Sequence, residues 1–154
     1  MNETDRRSWD KVAVGEVHRA GPHRVTEEAI VRFAEQFDPQ YFHLSLEGGE
    51  KGPFGKLSAS GWHTCSIAMR LMTDGILASM QSEGAPGVKQ VRWLKPTFVD
   101  DELTLVTEIV DKYASKSRAA IGFCQVKHRL EDQNGVTKMA MENVFMVGRD
   151  APLS

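Results

Sequence analysis

The sequence predicts an α+β domain in which a curved antiparallel sheet wraps around one long central helix. Three observations carry that expectation. The hydrophobic period changes once, from about 3.6 residues before Gly84 to about 2 after Gly87. The segment after Ser60 is helical in period and apolar on nearly every side. The strand-like half has an apolar face too large to be covered by anything except that helix.

The elements follow in order. Gly15 to Arg24 reads as an extended lead-in, because Pro22 opposes regular helix. Thr26 is an N-cap, and Glu27 and Glu28 put negative charge where a helix start favours it. Ile30, Phe33, Ala34 and Phe37 then recur at helical spacing, and Pro39 ends the helix. Asp38 therefore sits at a helix exit. Leu44 to Lys56 is predicted to be loop, with Gly48, Gly49, Gly52, Pro53 and Gly55. The long helix is predicted from Ser60 to about Met80, with only a narrow solvated strip near His63, Arg70 and Asp74. Strands are predicted at Val88–Phe98, Leu103–Tyr113, Ala119–Leu130 and Val136–Val147. Turns at Asp100-Asp101, Ala114–Ser117 and Asn134-Gly135 make these a four-stranded meander.

At 154 residues the chain is read as a single domain, 1–154, with its core from about residue 9 to 148. Hydrophobic residues are 41% and charged residues 26%, values ordinary for a soluble globular protein. A net charge of -2 without a long basic run argues against nucleic-acid and anionic-membrane partners. Met1 to Lys11 lacks the apolar core of a signal peptide, and no apolar stretch approaches a membrane span. Cys65 and Cys124 lie in apolar segments without CxxC spacing and read as buried, reduced thiols. The chain is thus expected to be cytoplasmic. His18, His23 and His128 share no metal-ligand spacing, and no phosphate-cradling glycine motif occurs, so neither a metal nor a bound cofactor is expected. An exposed sheet edge favours pairing of two copies into a homodimer.

The chemistry is concentrated between Phe37 and Thr64. Asp38 and His43 follow the first helix exit, and a Gly-Pro-Phe-Gly loop and Ala-Ser-Gly-Trp lead into the long helix. A helix N-terminus exposes unpaired N–H groups suited to an anionic oxygen, and here that start lies at Ser60 and Gly61. Carboxylate, imidazole and N–H donors together suit chemistry at a polarised carbonyl.

Phe37-Asp38-Pro39-Gln40-Tyr41-Phe42-His43, with Pro53-Phe54-Gly55, Ser60-Gly61 and Pro96-Thr97-Phe98-Val99-Asp100-Asp101-Glu102-Leu103, resembles the MaoC-like dehydratases. These include the (R)-specific enoyl-CoA hydratases of the hotdog fold. The likeness runs from about Trp9 to Val147. The family motif Asp-x-Asn-Pro-x-His is altered, with Gln40 for Asn and Tyr41 for Pro, and Ser60 stands where many members carry His. The resemblance implies a single hotdog domain whose long helix lies inside the curved sheet. It further implies a lyase of fatty acid metabolism acting on a 2-enoyl or 3-hydroxyacyl thioester of CoA or an acyl carrier protein. Asp38 and His43 would activate one water, while Gly61 would bind the thioester oxygen and Ser60 and Trp62 would line the substrate site. His63 reads as a structural histidine, and Lys112, Lys116 and Arg118 as a solvated basic turn. Two other functions remain open: a hotdog acyl-CoA thioesterase and a non-catalytic acyl-thioester binder.

Overall fold

A computed structural model of the chain describes residues 5–150; the ends of the predicted domain span, 1–4 and 151–154, lie outside the described residues, as does the start of the Met1–Lys11 stretch. The described elements are β1 (Val17–Arg24), α1 (Glu27–Phe37), α2 (Leu46–Lys51), α3 (Gly61–Asp74), β2 (Val88–Trp93), β3 (Glu102–Ala114), β4 (Ile121–Glu131) and β5 (Thr137–Gly148). They form one antiparallel sheet in the order β1-β3-β4-β5-β2.

Three of the four predicted strands, β3, β4 and β5, do form a meander. The fourth departs from the expectation. β2 pairs with β5 at the far edge, with Val91 opposite Met141, and does not touch β3 as a hairpin partner. It also ends at Trp93, so Leu94 to Asp101 is a connection crossing the sheet. The turn predicted at Asp100-Asp101 is present at its end, with the Asp101 N–H donating to the Phe98 carbonyl at 3.2 Å. That turn leads into β3 without making a β2–β3 hairpin. The extended lead-in becomes β1, which pairs with β3 at the opposite edge and makes a fifth strand. The predicted loop from Leu44 to Lys56 contains the short α2, capped by the Ser45 hydroxyl, which accepts from the Gly48 N–H at 2.9 Å.

α3 covers the inner face of the sheet. Its Ile67, Ala68, Leu71 and Met72 share one apolar core with Leu103, Leu105 and Ile109 of β3, Val126 and Leu130 of β4, and Met139 and Phe145 of β5. Each such side chain contributes roughly 1.5–3 kcal/mol when taken out of water. The helix is shorter than predicted. It stops at Asp74, and a 3-10 turn from Ile76 to Ser79 carries the chain on to Met80. The predicted solvated strip is also misplaced at one point. His63 is buried, whereas Trp62 and Met69, predicted as covered, are 62% and 48% exposed. α3 therefore leaves one apolar face open.

A polar rung crosses the core beneath this helix. His128 on β4 lies 2.8 Å from the Thr107 hydroxyl of β3 and 2.9 Å from Asn143 Oδ1 of β5. Both ring nitrogens are satisfied when Nε2–H donates to Asn143 and Nδ1 accepts from Thr107. Burial, only partly opposed by Asn143, pushes the His128 pKa down to about 4. Among the described residues no helix is long and apolar enough to cross a membrane.

Candidate active site

The site begins where α1 ends. Proline at position 39 disfavours helical geometry at Asp38, whose φ of -151° and ψ of 69° leave the helix. Its N–H still donates to the Ala34 carbonyl at 2.9 Å, so Asp38 is held at a fixed exit. The Gln40 N–H then donates to the Asp38 carbonyl at 2.8 Å, and the 3-10 turn Tyr41–His43 closes when the His43 N–H donates to Gln40 at 2.9 Å. This tight path folds the imidazole back onto the carboxylate. His43 Nε2 lies 3.4 Å from Asp38 Oδ2.

The imidazole is fixed on its other side. His43 Nδ1 is 2.5 Å from the Ser58 carbonyl oxygen, and the ring is buried. A carbonyl only accepts, so Nδ1 carries the proton and Nε2 keeps its lone pair in the neutral ring. The Phe42 ring packs at right angles against it, with centroids 4.5 Å apart. Burial alone raises the Asp38 carboxyl, but Ser60, a 2.8 Å hydrogen bond from Gln40 Nε2 and the adjacent His43 hold it below its ordinary value. Asp38 is therefore ionised near neutral pH.

The second half of the site is the start of α3. Ser60 occupies the N-cap without a side-chain capping bond. Its hydroxyl is buried near Asp38, close enough to lower the carboxyl's pKa, yet completes no well-formed hydrogen bond with any described group. The Thr64 N–H makes the first helical bond, to Ser60 at 3.0 Å. The N–H groups of the residues between are the orphan donors of a helix start.

His43 and Gly61 line one cleft of about 330 Å³, with Phe42, Phe54, Thr64, Trp93 and Thr97 among its other walls. Asp38 and Ser60 are not among its lining residues; Asp38 stands next to the cleft through its 3.4 Å approach to His43. Trp62, predicted to line the site, does not: its ring is exposed and packs edge-on against Trp93, 5.4 Å between centroids. His63 stacks on Phe33 at 4.9 Å, outside the cleft, and burial with the nearby His23 pushes its pKa down to about 4. Lys112 donates to the carbonyls of Trp9 and Val12 and anchors the N-terminal segment, so it is neither a solvated turn residue nor free for a phosphate. Cys65 and Cys124 are free thiols, and burial pushes Cys124 up to about 11.

Of the wall residues, Trp93 had no place in the motif reading, and Thr97 entered it only as part of the Pro96 to Leu103 match. Thr97 accepts from the Thr64 hydroxyl at 3.2 Å, joining the β2–β3 connection to α3. Both depend on where the chain after Gly87 crosses α3, a long-range relation that periodicity does not encode.

Residues 10–128 match the family model described as a MaoC like domain. The chain belongs to the MaoC-like family. Its relatives agree. It is 30% identical over 112 residues to the uncharacterized protein YdeM of Bacillus subtilis, covering 73% of this chain and 79% of that one. A MaoC-like dehydratase from Rhodospirillum rubrum is 32% identical, with a TM-score of 0.83 over 94% of this chain and 99% of the other. The (R)-hydratase PhaJ1 of Pseudomonas aeruginosa, at 16% identity, shares the fold alone, with a TM-score of 0.77 over 96% of this chain and 91% of its own. The MaoC-like domain here has the hotdog fold.

Proposed function

We propose that this MaoC-like protein hydrates a 2-enoyl thioester of CoA or an acyl carrier protein, and dehydrates the corresponding 3-hydroxyacyl thioester. The observation that carries the reading is the convergence of His43 and Gly61 on one cleft, with Asp38 Oδ2 3.4 Å from His43 Nε2.

With Nδ1–H committed to Ser58, the Nε2 lone pair and the Asp38 carboxylate are two adjacent acceptors. A water held by both directs its protons at them and an oxygen lone pair at C3 of the enoyl group. As the C3–O bond forms, Nε2 takes one proton of the water and the C2=C3 electron pair moves toward the thioester oxygen. The imidazolium returns that proton to C2, and the other water proton stays on the new hydroxyl. Asp38 remains ionised and stabilises the transient imidazolium. The charge on the thioester oxygen meets the N–H groups at Gly61, where one such donor is typically worth roughly 3–4 kcal/mol.

The alterations at Gln40 and Ser60 are compatible with this scheme. Gln40 donates to Asp38 Oδ1 and leaves Oδ2 to face His43. Mixing the protein with crotonyl-CoA tests the proposal. Loss of enoyl absorbance supports hydration; release of free thiol would make the protein a thioesterase; saturable binding without either would make it a binder.

We also infer a cytoplasmic homodimer acting in fatty acid metabolism. β2 leaves one edge unpaired, and Val88 and Trp93 on it, with Trp62 and Met69 on α3, are exposed apolar side chains. Light scattering that returned a monomeric mass at micromolar concentration would refute the dimer.

A further inference from the structure

Glycine at position 61 needs an explanation other than its backbone. It is the first residue of α3, and its φ lies outside the left-handed region that favours glycine. What excludes a side chain is Trp93. A Cβ at Gly61 would lie 2.6 Å from Trp93 Cε2 and 2.9 Å from both Cδ2 and Nε1. The indole is half exposed, and two contacts hold it in place. Its Nε1–H donates to the Gly61 carbonyl at 2.9 Å, and its ring meets Trp62 edge-on.

We propose that Trp93 is a positioning residue for the hydratase reaction, and that residue 61 is glycine in order to admit its indole. The inference rests on the hydratase reading for its catalytic part, and on geometry alone for the contact. The hydrogen bond holds Gly61 by its carbonyl and so fixes the orientation of the residue whose N–H meets the thioester oxygen. Trp93 thus acts on the thioester oxygen through the α3 terminus, and its ring forms a wall of the same cleft that His43 and Gly61 line. Together with the edge-on packing of Trp62 on Trp93, this contact ties the edge strand β2 to the start of α3.

A mutant cycle separates this role from the usual one, in which a glycine leaves room for substrate. Wild type, Gly61→Ala, Trp93→Val and the double variant are compared for thermal midpoint and crotonyl-CoA hydration. Gly61→Ala alone should lower the midpoint by roughly 5 °C, as overpacking does, and kcat by at least about tenfold. In the Trp93→Val background the same change should shift the midpoint by under about 1 °C and kcat by under about twofold. Equal losses in both backgrounds would overturn the proposal. Trp93→Phe keeps a ring and removes the N–H; it should lower kcat about fivefold with KM within about twofold and an unchanged midpoint. A Phe variant with wild-type kcat would refute positioning through the hydrogen bond. Should wild type hydrate nothing, the catalytic role falls with the hydratase reading, while the midpoints still decide whether Trp93 dictates glycine.

Discussion

His43 Nδ1 lies 2.5 Å from the Ser58 carbonyl oxygen, and this one contact decides which nitrogen of the imidazole is free to act as a base. Ser58 is itself held, since it bridges to Phe98 and the next N–H, of Ala59, donates to Thr97 at 2.8 Å. His43→Gln keeps bulk and an amide donor for Ser58 but has no basic nitrogen. It should lower kcat for crotonyl-CoA by about 10²–10⁴-fold with the thermal midpoint nearly unchanged, as steady-state kinetics and calorimetry would show.

Acid should destabilise the fold in a window set by two buried histidines. Burial lowers His63 and His128 to about 4. A depressed histidine binds its proton in the unfolded chain first, so its contribution is complete above the unfolded pKa near 6.5 and is lost as pH falls toward about 4. Each shift corresponds to at most about 3 kcal/mol. Urea midpoints should therefore fall between pH 6.5 and 4. His63→Leu, which removes a titrating ring from its stack on Phe33, should flatten part of that slope.

A second, more acidic window belongs to Glu16. The Arg7 guanidinium bonded to it at 2.8 Å, against some burial, and then His18 and the Ala13 N–H hold its carboxyl at about 2. For a depressed carboxylate the contribution is complete above its unfolded pKa near 4.5 and is lost as pH falls through about 2. Glu16→Gln should leave the pH 6.5–4 slope intact and reduce the loss below it, measured by the same urea titrations.

Lys138 is buried with two carboxylates. Its Nζ donates to the Pro96 carbonyl at 2.9 Å and lies 3.3 Å from Asp101 and 3.7 Å from Asp132. It thereby ties β5 to the connection that carries Pro96 and Thr97 into the cleft wall. Lys138→Met would leave Asp101 and Asp132 uncompensated, and should destabilise the fold by about 3–5 kcal/mol in chemical denaturation.

The parts of this molecule set by local chemistry were readable from the sequence. Thr26 caps α1 as predicted, its hydroxyl accepting from the Ala29 N–H at 3.2 Å, and Pro39 ends that helix at Asp38. Alternation placed Leu103, Leu105 and Ile109 on the buried face of β3. The Asp38 to His43 spacing was informative because a turn of that length returns the chain on itself. Long-range placement was not readable. Nothing in Val88–Trp93 indicates that it pairs with β5 rather than β3, and so nothing brings Trp93 over Gly61. His63 looked solvated because its helical neighbours Arg70 and Asp74 are; Phe33, from a separate helix, buries it. α2 was hidden by Gly48 and Gly49, poor helix formers that are retained because a Cβ at either would meet backbone at 2.2 Å.

Asp38→Asn is the most direct test of the central claim, because it removes the charge beside His43 while keeping the side chain's shape. Hydration of crotonyl-CoA should proceed in wild type and fall at least about tenfold in the variant, with the thermal midpoint preserved. A folded Asp38→Asn protein that hydrates crotonyl-CoA as fast as wild type would contradict the account.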